Sequence, residues 1–311
     1  MGYRWVPLIP ISMYYTKYRT LVNSLSATIT SLCLLLSFFG NRQLEYCLNE
    51  SHLLLSESNL KYQHLWYNPI TFLILVAATH CFKIVYFILL LPHTYKTVII
   101  SHVSNFPANF IQYIVLFMAT TAEISFHNIN DRLVRMKKYK IVEESIVTQM
   151  ELHWRVVDFV EKFNHAMGVR LLAMLAKTLM FKFFVIFTII LHYVPSHAFK
   201  KADLPFYAVI DWAESSIISF GIIIYTSYCS NRLFTKSKHT LVHLRELSYN
   251  NTLSEKVDTV ITIFSNQIQR RDCYISAGNA INYKMSLVLT VSIKLHFFRA
   301  LYIIPVKLFP I

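Results

Sequence analysis

FSNQIQRRDCYISAGNAINYKMSLVLTVSIKL, residues Phe264 to Leu295, is the stretch whose reading decides the fold. Just upstream and into it, Val257, Ile261, Phe264 and Ile268 stand at helical spacing with polar residues between them, as in a water-side helix with one apolar stripe. The basic pair Arg270-Arg271 marks the membrane edge. A patch of small residues follows, Ser276-Ala277-Gly278, then Asn282-Tyr283-Lys284, then the apolar run Met285 to Leu295. A soluble core helix does not need that order of parts. It predicts an all-α, polytopic transmembrane helical bundle.

Composition points to the same class. The apolar fraction is 55%, the mean hydropathy is +0.42, and 311 residues include only 5 glycines, which is unusual for a soluble chain. The formal charge of +13 would suit nucleic acid, but the basic residues lie between apolar runs rather than on one stripe, so no nucleic-acid partner is expected. Cys33, Cys47, Cys81, Cys229 and Cys273 show no C-x-x-C pair and no ligand spacing, and read as reduced or buried thiols. Residues 1–20 are rich in Tyr and Pro and lack the pattern of a cleavable leader. There is no Walker loop, no G-x-S-x-G and no H-E-x-x-H, and His80, His192 and His296 form no ligand pair. The chain therefore reads as a non-enzyme with no metal and no cofactor.

Taken in order, the apolar runs give six spans in one membrane domain over 1–311: a marginal one at 21–39, then 70–91, 106–126, 171–194, 206–229 and about 283–304. Between them lie polar residues 41–68 and two long charged regions. Region 127–170 holds Arg132, Arg135, Lys137, Lys138, Lys140, Arg155, Lys162 and Arg170. Region 230–282 holds Arg232, Lys236, Lys238, Arg245, Lys256, Arg270 and Arg271. The positive-inside rule puts both in the cytoplasm and the C-terminus outside. With six spans the N-terminus is outside as well, although Arg4, Lys17 and Arg19 do not suit that side.

The cytoplasmic regions read as helical extensions of the spans. Val142, Ile146, Met150, Val157 and Val160 form one face of a long helix running into the span at 171. Such a stripe must be covered in water. Its candidates are the counterpart stripe at 257–268 and the same helices of neighbouring subunits, and the residues leave that choice open.

Polar groups inside spans are pointers to function because burying them is costly. His80 and Lys83 share a face of the second run; packing in the bundle interior is the simpler account of them. Asp211 and Glu214 share a face near the outer end of 206–229, beside Tyr207 and Trp212, and read either as part of a ligand pocket or as an interfacial belt. A pocket for small organic molecules would be mainly aromatic. The outer halves of the spans offer Tyr86, Phe110, Tyr113, Phe117, Tyr193, Tyr207 and Trp212, in a chain where 23 Phe and 19 Tyr make plain packing the commoner role.

Two segments resemble the insect gustatory receptors, a family within the insect chemoreceptor superfamily and related to the insect odorant receptors. In the last segment the match is F-x-x-Q at Phe264 and Gln267, then Ala277 and Gly278, then Asn282 and Tyr283. In ELHWRVVDFVEKFNHAMGVRLL, residues 151–172, it is a His near the start, V-x-x-x-N ending at Asn164, and a small residue before the apolar run. The resemblance implies a plasma-membrane taste receptor, a subunit of a homo- or hetero-tetramer with other gustatory receptors. It implies a ligand-gated non-selective cation channel responding to external tastants, with membrane lipid around it. It also implies seven spans and a cytoplasmic N-terminus, so one span is expected to be missing from this shorter chain. The family's usual Thr-Tyr…Gln-Phe ending is absent: the chain reads HFFRALYIIP there, with Lys294 and Arg299 inside the apolar run. That ending implies a misread gene end or a non-functional truncated copy. Another reading is a polytopic receptor signalling through a cytoplasmic partner, as G-protein-coupled receptors do. Asp131-Arg132-Leu133 approaches that class's acidic-Arg-Tyr motif but ends in Leu, and no N-P-x-x-Y follows.

Overall fold

The computed structural model describes residues 41–57, 95–137, 143–193, 206–250, 253–278 and 281–290, with Thr28 and seven residues between 71 and 85. Side chains are described outside 41, 95–110, 181–193, 206–219 and 250. Five helices and one small hairpin make up the named elements: α1 (Asn41–Glu57), α2 (Tyr95–Met136), α3 (Glu143–Tyr193), α4 (Phe206–Asn250), α5 (Glu255–Arg270), β1 (Ser276–Ala277) and β2 (Ile281–Asn282). Residues 285–290 open a further helix.

The helices α2, α3 and α4 have 42, 51 and 45 residues. At 1.5 Å per residue α3 is about 76 Å long. Each runs unbroken from an apolar segment into a charged one, so the charged regions continue the apolar helices. α2 also starts earlier than the sequence suggests: 95–105, which reads as a turn, is helical, and the helix continues through Pro107. Among the described residues, no helix is both long and apolar enough to cross a membrane. The run 21–39 apart from Thr28, and the run beyond Thr290, lie outside the described residues.

Among the described residues the core runs along the charged parts of the long helices and into the adjoining apolar parts. On α2 the buried residues Ile111, Val115, Met118, Ala122, Phe126, Ile129 and Leu133 recur every three or four positions. On α4 the buried series is Ile223, Thr226, Ser230, Leu233, Ser237, Thr240, Leu244 and Leu247. Alternating steps of three and four are the seam of helices that cross at a shallow angle. Half of the α4 seam is hydroxyl side chains, which hydropathy scores as polar, so the sequence alone reads this stretch as a charged connection.

α5 fits its sequence reading residue for residue. Val257, Ile261, Phe264 and Ile268 are its buried positions, with Phe264 fully buried. They join one core with Ile146, Val157 and Val160 of α3, so both stripes are covered within a single chain. The polar stretch 41–68, by contrast, contains a helix. α1 buries Cys47, Ser51, Leu54 and Leu55 against α2 and α3. Outside this face, Arg155 bonds Glu50 at 2.8 Å and Glu57 at 2.9 Å, and Arg132 donates to the Glu57 carbonyl at 3.1 Å. Residues 41–57 therefore pack against the charged region 127–170.

Candidate functional site: the junction before the last helix

The extended residues 271–275 and the hairpin 276–282 connect α5 to the helix that starts at Met285. β1 and β2 are antiparallel, with Ser276 opposite Asn282 and Ala277 opposite Ile281. Gly278 opens the loop with φ +62°, a left-handed conformation that favours glycine. A Cβ there would also lie 3.4 Å from the Leu172 side chain and 3.9 Å from the Gly168 carbonyl of α3.

Side chains from two helices hold this strand. Asn164 of α3 donates to the Tyr274 carbonyl at 2.6 Å and accepts from the Ser276 N–H at 2.9 Å. A carbonyl only accepts and an amide N–H only donates, so these partners set the orientation of the Asn164 amide. Ser230 of α4 accepts from the Ile275 N–H at 2.9 Å. The Tyr283 N–H closes the hairpin on the Ile275 carbonyl, also at 2.9 Å. Ala277 and Tyr283 are buried.

Charged groups flank the strand. Lys238 of α4 donates to the Ile268 carbonyl at 2.7 Å, filling an end-of-helix acceptor of α5, and pairs with Asp272 at 2.9 Å. Tyr274 stacks on Phe234 with ring centres 4.4 Å apart, and the Lys284 ammonium sits 4.2 Å from the Tyr274 ring centre. Arg271 lies over Trp154 at 4.1 Å and approaches Glu161 at 3.7 Å. Burial pushes the neighbouring Cys273 thiol well above its ordinary range, so it is an inert core group.

Deeper in the bundle, His153 packs between Phe126 at 4.9 Å and the edge of Phe264 at 5.4 Å, with Ser237 3.3 Å from its Nε2. Burial, assisted by the Lys238 charge, lowers its pKa to about 4, so the ring is neutral. Asn130 makes a second internal link, donating to the Lys236 carbonyl at 3.0 Å and accepting from Thr240 at 2.7 Å. Nearer the apolar end, Thr226 donates to Gln112 at 3.4 Å. Thr226, Ser230, Ser237 and Thr240 thus each meet a polar partner from another element.

The two segments singled out in the sequence meet here. His153 touches Phe264, Asn164 bonds the residues flanking Ile275, and Gly168 faces Gly278. Gln267 is half-buried on α5, and Asn282 is exposed on β2. Sequence reasoning did not foresee the hairpin, the Ser230 contact or the Lys238 cap. The Gly278-Asn279 pair is a turn signal that would have found the hairpin.

The aromatic pocket set is mostly beyond the described side chains. Tyr113 and Phe117 are half-buried one turn apart on α2, with rings stacked at 6.5 Å. Tyr86, Phe110, Tyr193, Tyr207, Asp211, Trp212 and Glu214 lie outside the described side chains, as do His80 and Lys83. Cys47, Cys81, Cys229 and Cys273 are free thiols, and only Cys81 of these is exposed. Among the described residues, no group of His, Cys, Asp and Glu could hold a metal ion.

Helices far longer than a globular core needs, fastened at one end around a hairpin that launches a last helix, define an all-α bundle. The solved structure of the insect olfactory receptor OR5 from Machilis hrabei shares this fold, with a TM-score of 0.66 over 93% of this chain and 81% of that one, at 10% identity. At 10% identity the likeness shows the fold alone. No family model matches the chain, and no curated protein does.

Proposed function

We propose that this chain is a chemosensory receptor subunit of the plasma membrane, of the gustatory type, that opens a non-selective cation channel when an external tastant binds. The observation that carries the reading is a fold likeness covering 93% of the chain. The motif residues support it, because those of 151–172 and 264–283 pack directly on one another. So does the helical face Ile74, Phe82 and Val85, which is 62%, 72% and 54% exposed and suits a lipid surround.

In this reading the six apolar runs span the bilayer, and the core around His153 and Asn130 lies in the cytoplasm. Four subunits, identical or mixed with other gustatory receptors, surround one pore. The tastant sits among Tyr86, Phe110, Tyr113, Phe117, Tyr193, Tyr207, Asp211, Trp212 and Glu214, and shifts the assembly toward the open state by binding that state more tightly. Whole-cell recording from cells expressing the chain, with sucrose and denatonium as first probes of a tastant panel, tests this. Cation current that follows the probe is expected. Silence across the panel from chain that reaches the cell surface sinks it.

A further inference from the structure

We propose that Asn164 is a positioning residue: it fixes the start of the last helix to α3, and the response of the receptor depends on that fixture. The functional half of this statement rests on the receptor reading above; the structural half does not.

Chain connectivity suggests that α5 leads the last helix, since residues 271–284 follow it directly. The hydrogen bonds say otherwise. Along Tyr274, Ile275 and Ser276, both described side-chain attachments come from the side: Asn164 of α3 and Ser230 of α4. Asn164 is 8% exposed and spans the strand with one donor and one acceptor. Ile275 passes the constraint onward, because its carbonyl receives the Tyr283 N–H just before the last helix begins. The Gly278 loop rests on Gly168 and Leu172, one and two turns further along α3 from Asn164. A shift of α3 along its axis therefore carries the strand, the hairpin and the first turn of the last helix with it. α3 is also the helix that continues through 171–193, where the proposed pocket contributes Tyr193.

Asn164→Ala removes both bonds in a buried place. Asn164→Asp keeps an acceptor for Ser276 but sets a carboxylate oxygen against the Tyr274 carbonyl. Ser230→Ala removes one bond of the same strand and is the milder variant should the others fold poorly. Two glycines inserted between Arg271 and Asp272 loosen the link to α5 without touching the side attachments. Thr148→Ala, which breaks an exposed bond to the Glu144 carbonyl far down α3, is the control.

The full chain in detergent is followed by hydrogen exchange. Asn164→Ala and Asn164→Asp are expected to speed exchange of 274–284 by about tenfold or more while residues 143–160 keep their protection. Ser230→Ala should give a smaller rise in the same place, and the glycine insertion and Thr148→Ala none. Unchanged exchange at 274–284, a rise spread evenly over α2 to α4, or a full rise from the glycine insertion each overturns the fixture. In cells, at matched surface amounts, Asn164→Ala is expected to move the half-maximal concentration of a current-evoking tastant by about threefold or more, against none for Thr148→Ala. A lost fixture with an unmoved tastant response overturns the functional half. A wild-type chain silent to the panel overturns the receptor reading instead, and the fixture then stands or falls on exchange alone.

Discussion

Two helical faces in this molecule bury opposite kinds of residue. On α5, Val257, Ile261, Phe264 and Ile268 turn inward while Glu255, Lys256, Asn266 and Gln269 stay outside. Between 71 and 85, the outward positions among the described residues are Thr71, Ile74, Ala78, Cys81, Phe82 and Val85. The first face is ordered by water. The second presents apolar groups where water would penalise them, and it supports a hydrocarbon surround. The proposed reading takes the two patterns as fitted to two solvents.

The sharpest way to break that contrast is to damage the α5 stripe. Phe264→Ala should cost about 3–5 kcal/mol, because its fully buried ring packs against His153 and leaves a cavity. A thermal melt of the detergent-solubilised chain measures it, and a midpoint within error of wild type would mean the stripe is not core. On the other face, Phe82→Lys should oppose membrane insertion by about 3 kcal/mol near the bilayer centre. The inserted fraction reports this, and full insertion would remove the lipid-facing assignment.

Acid probes the buried core in a graded way. The His153 pKa is lowered to about 4 in the folded chain, whereas the unfolded ring takes its proton near 6.5. Between those values the unfolded state binds more protons. The stability that the neutral ring contributes is therefore complete above pH 6.5 and falls as the pH drops toward 4, by about 2 kcal/mol at pH 5. His153→Gln should flatten that part of a stability-against-pH curve. Weaker still, Arg155→Ala should cost about 1 kcal/mol, since Arg155 and Glu57 stand largely in solvent while Glu50 is mostly covered, and the loss should shrink in high salt. At the small end, Ile263→Lys on the half-exposed side of α5 should stay within about 0.5 kcal/mol. A larger change would show that this side of α5 is covered in the assembled protein.

The elements legible in the sequence were those written in large apolar residues. The α5 stripe and the run of α3 into its apolar half could be read from spacing alone. α1 could not, because two of its four buried side chains are Cys47 and Ser51 and its mean character is polar. α4 past residue 229 was read as a charged connection because its inward positions are Ser230, Ser237 and Thr240, whose burial depends on partners far away in sequence. The hairpin was too short for a periodic signal. Of the candidate site, the residues that resembled a family were placed together by the fold, yet what joins them is backbone hydrogen bonding to Asn164, which no pattern of side chains announces. The pocket aromatics stay undistinguished, since only Tyr113 and Phe117 can be located by side chain.

The hydroxyl seam of α4 has a consequence for how such a chain can drift over evolutionary time. Ser227, Ser230 and Thr240 are fully enclosed, and Ser237 nearly so, with the neighbouring helices drawn close against them. A Leu at any of these sites would need space that the close-packed seam does not provide. Exchange there is confined to Ala, Ser, Thr, Gly or Cys, while the outward residues are free to change.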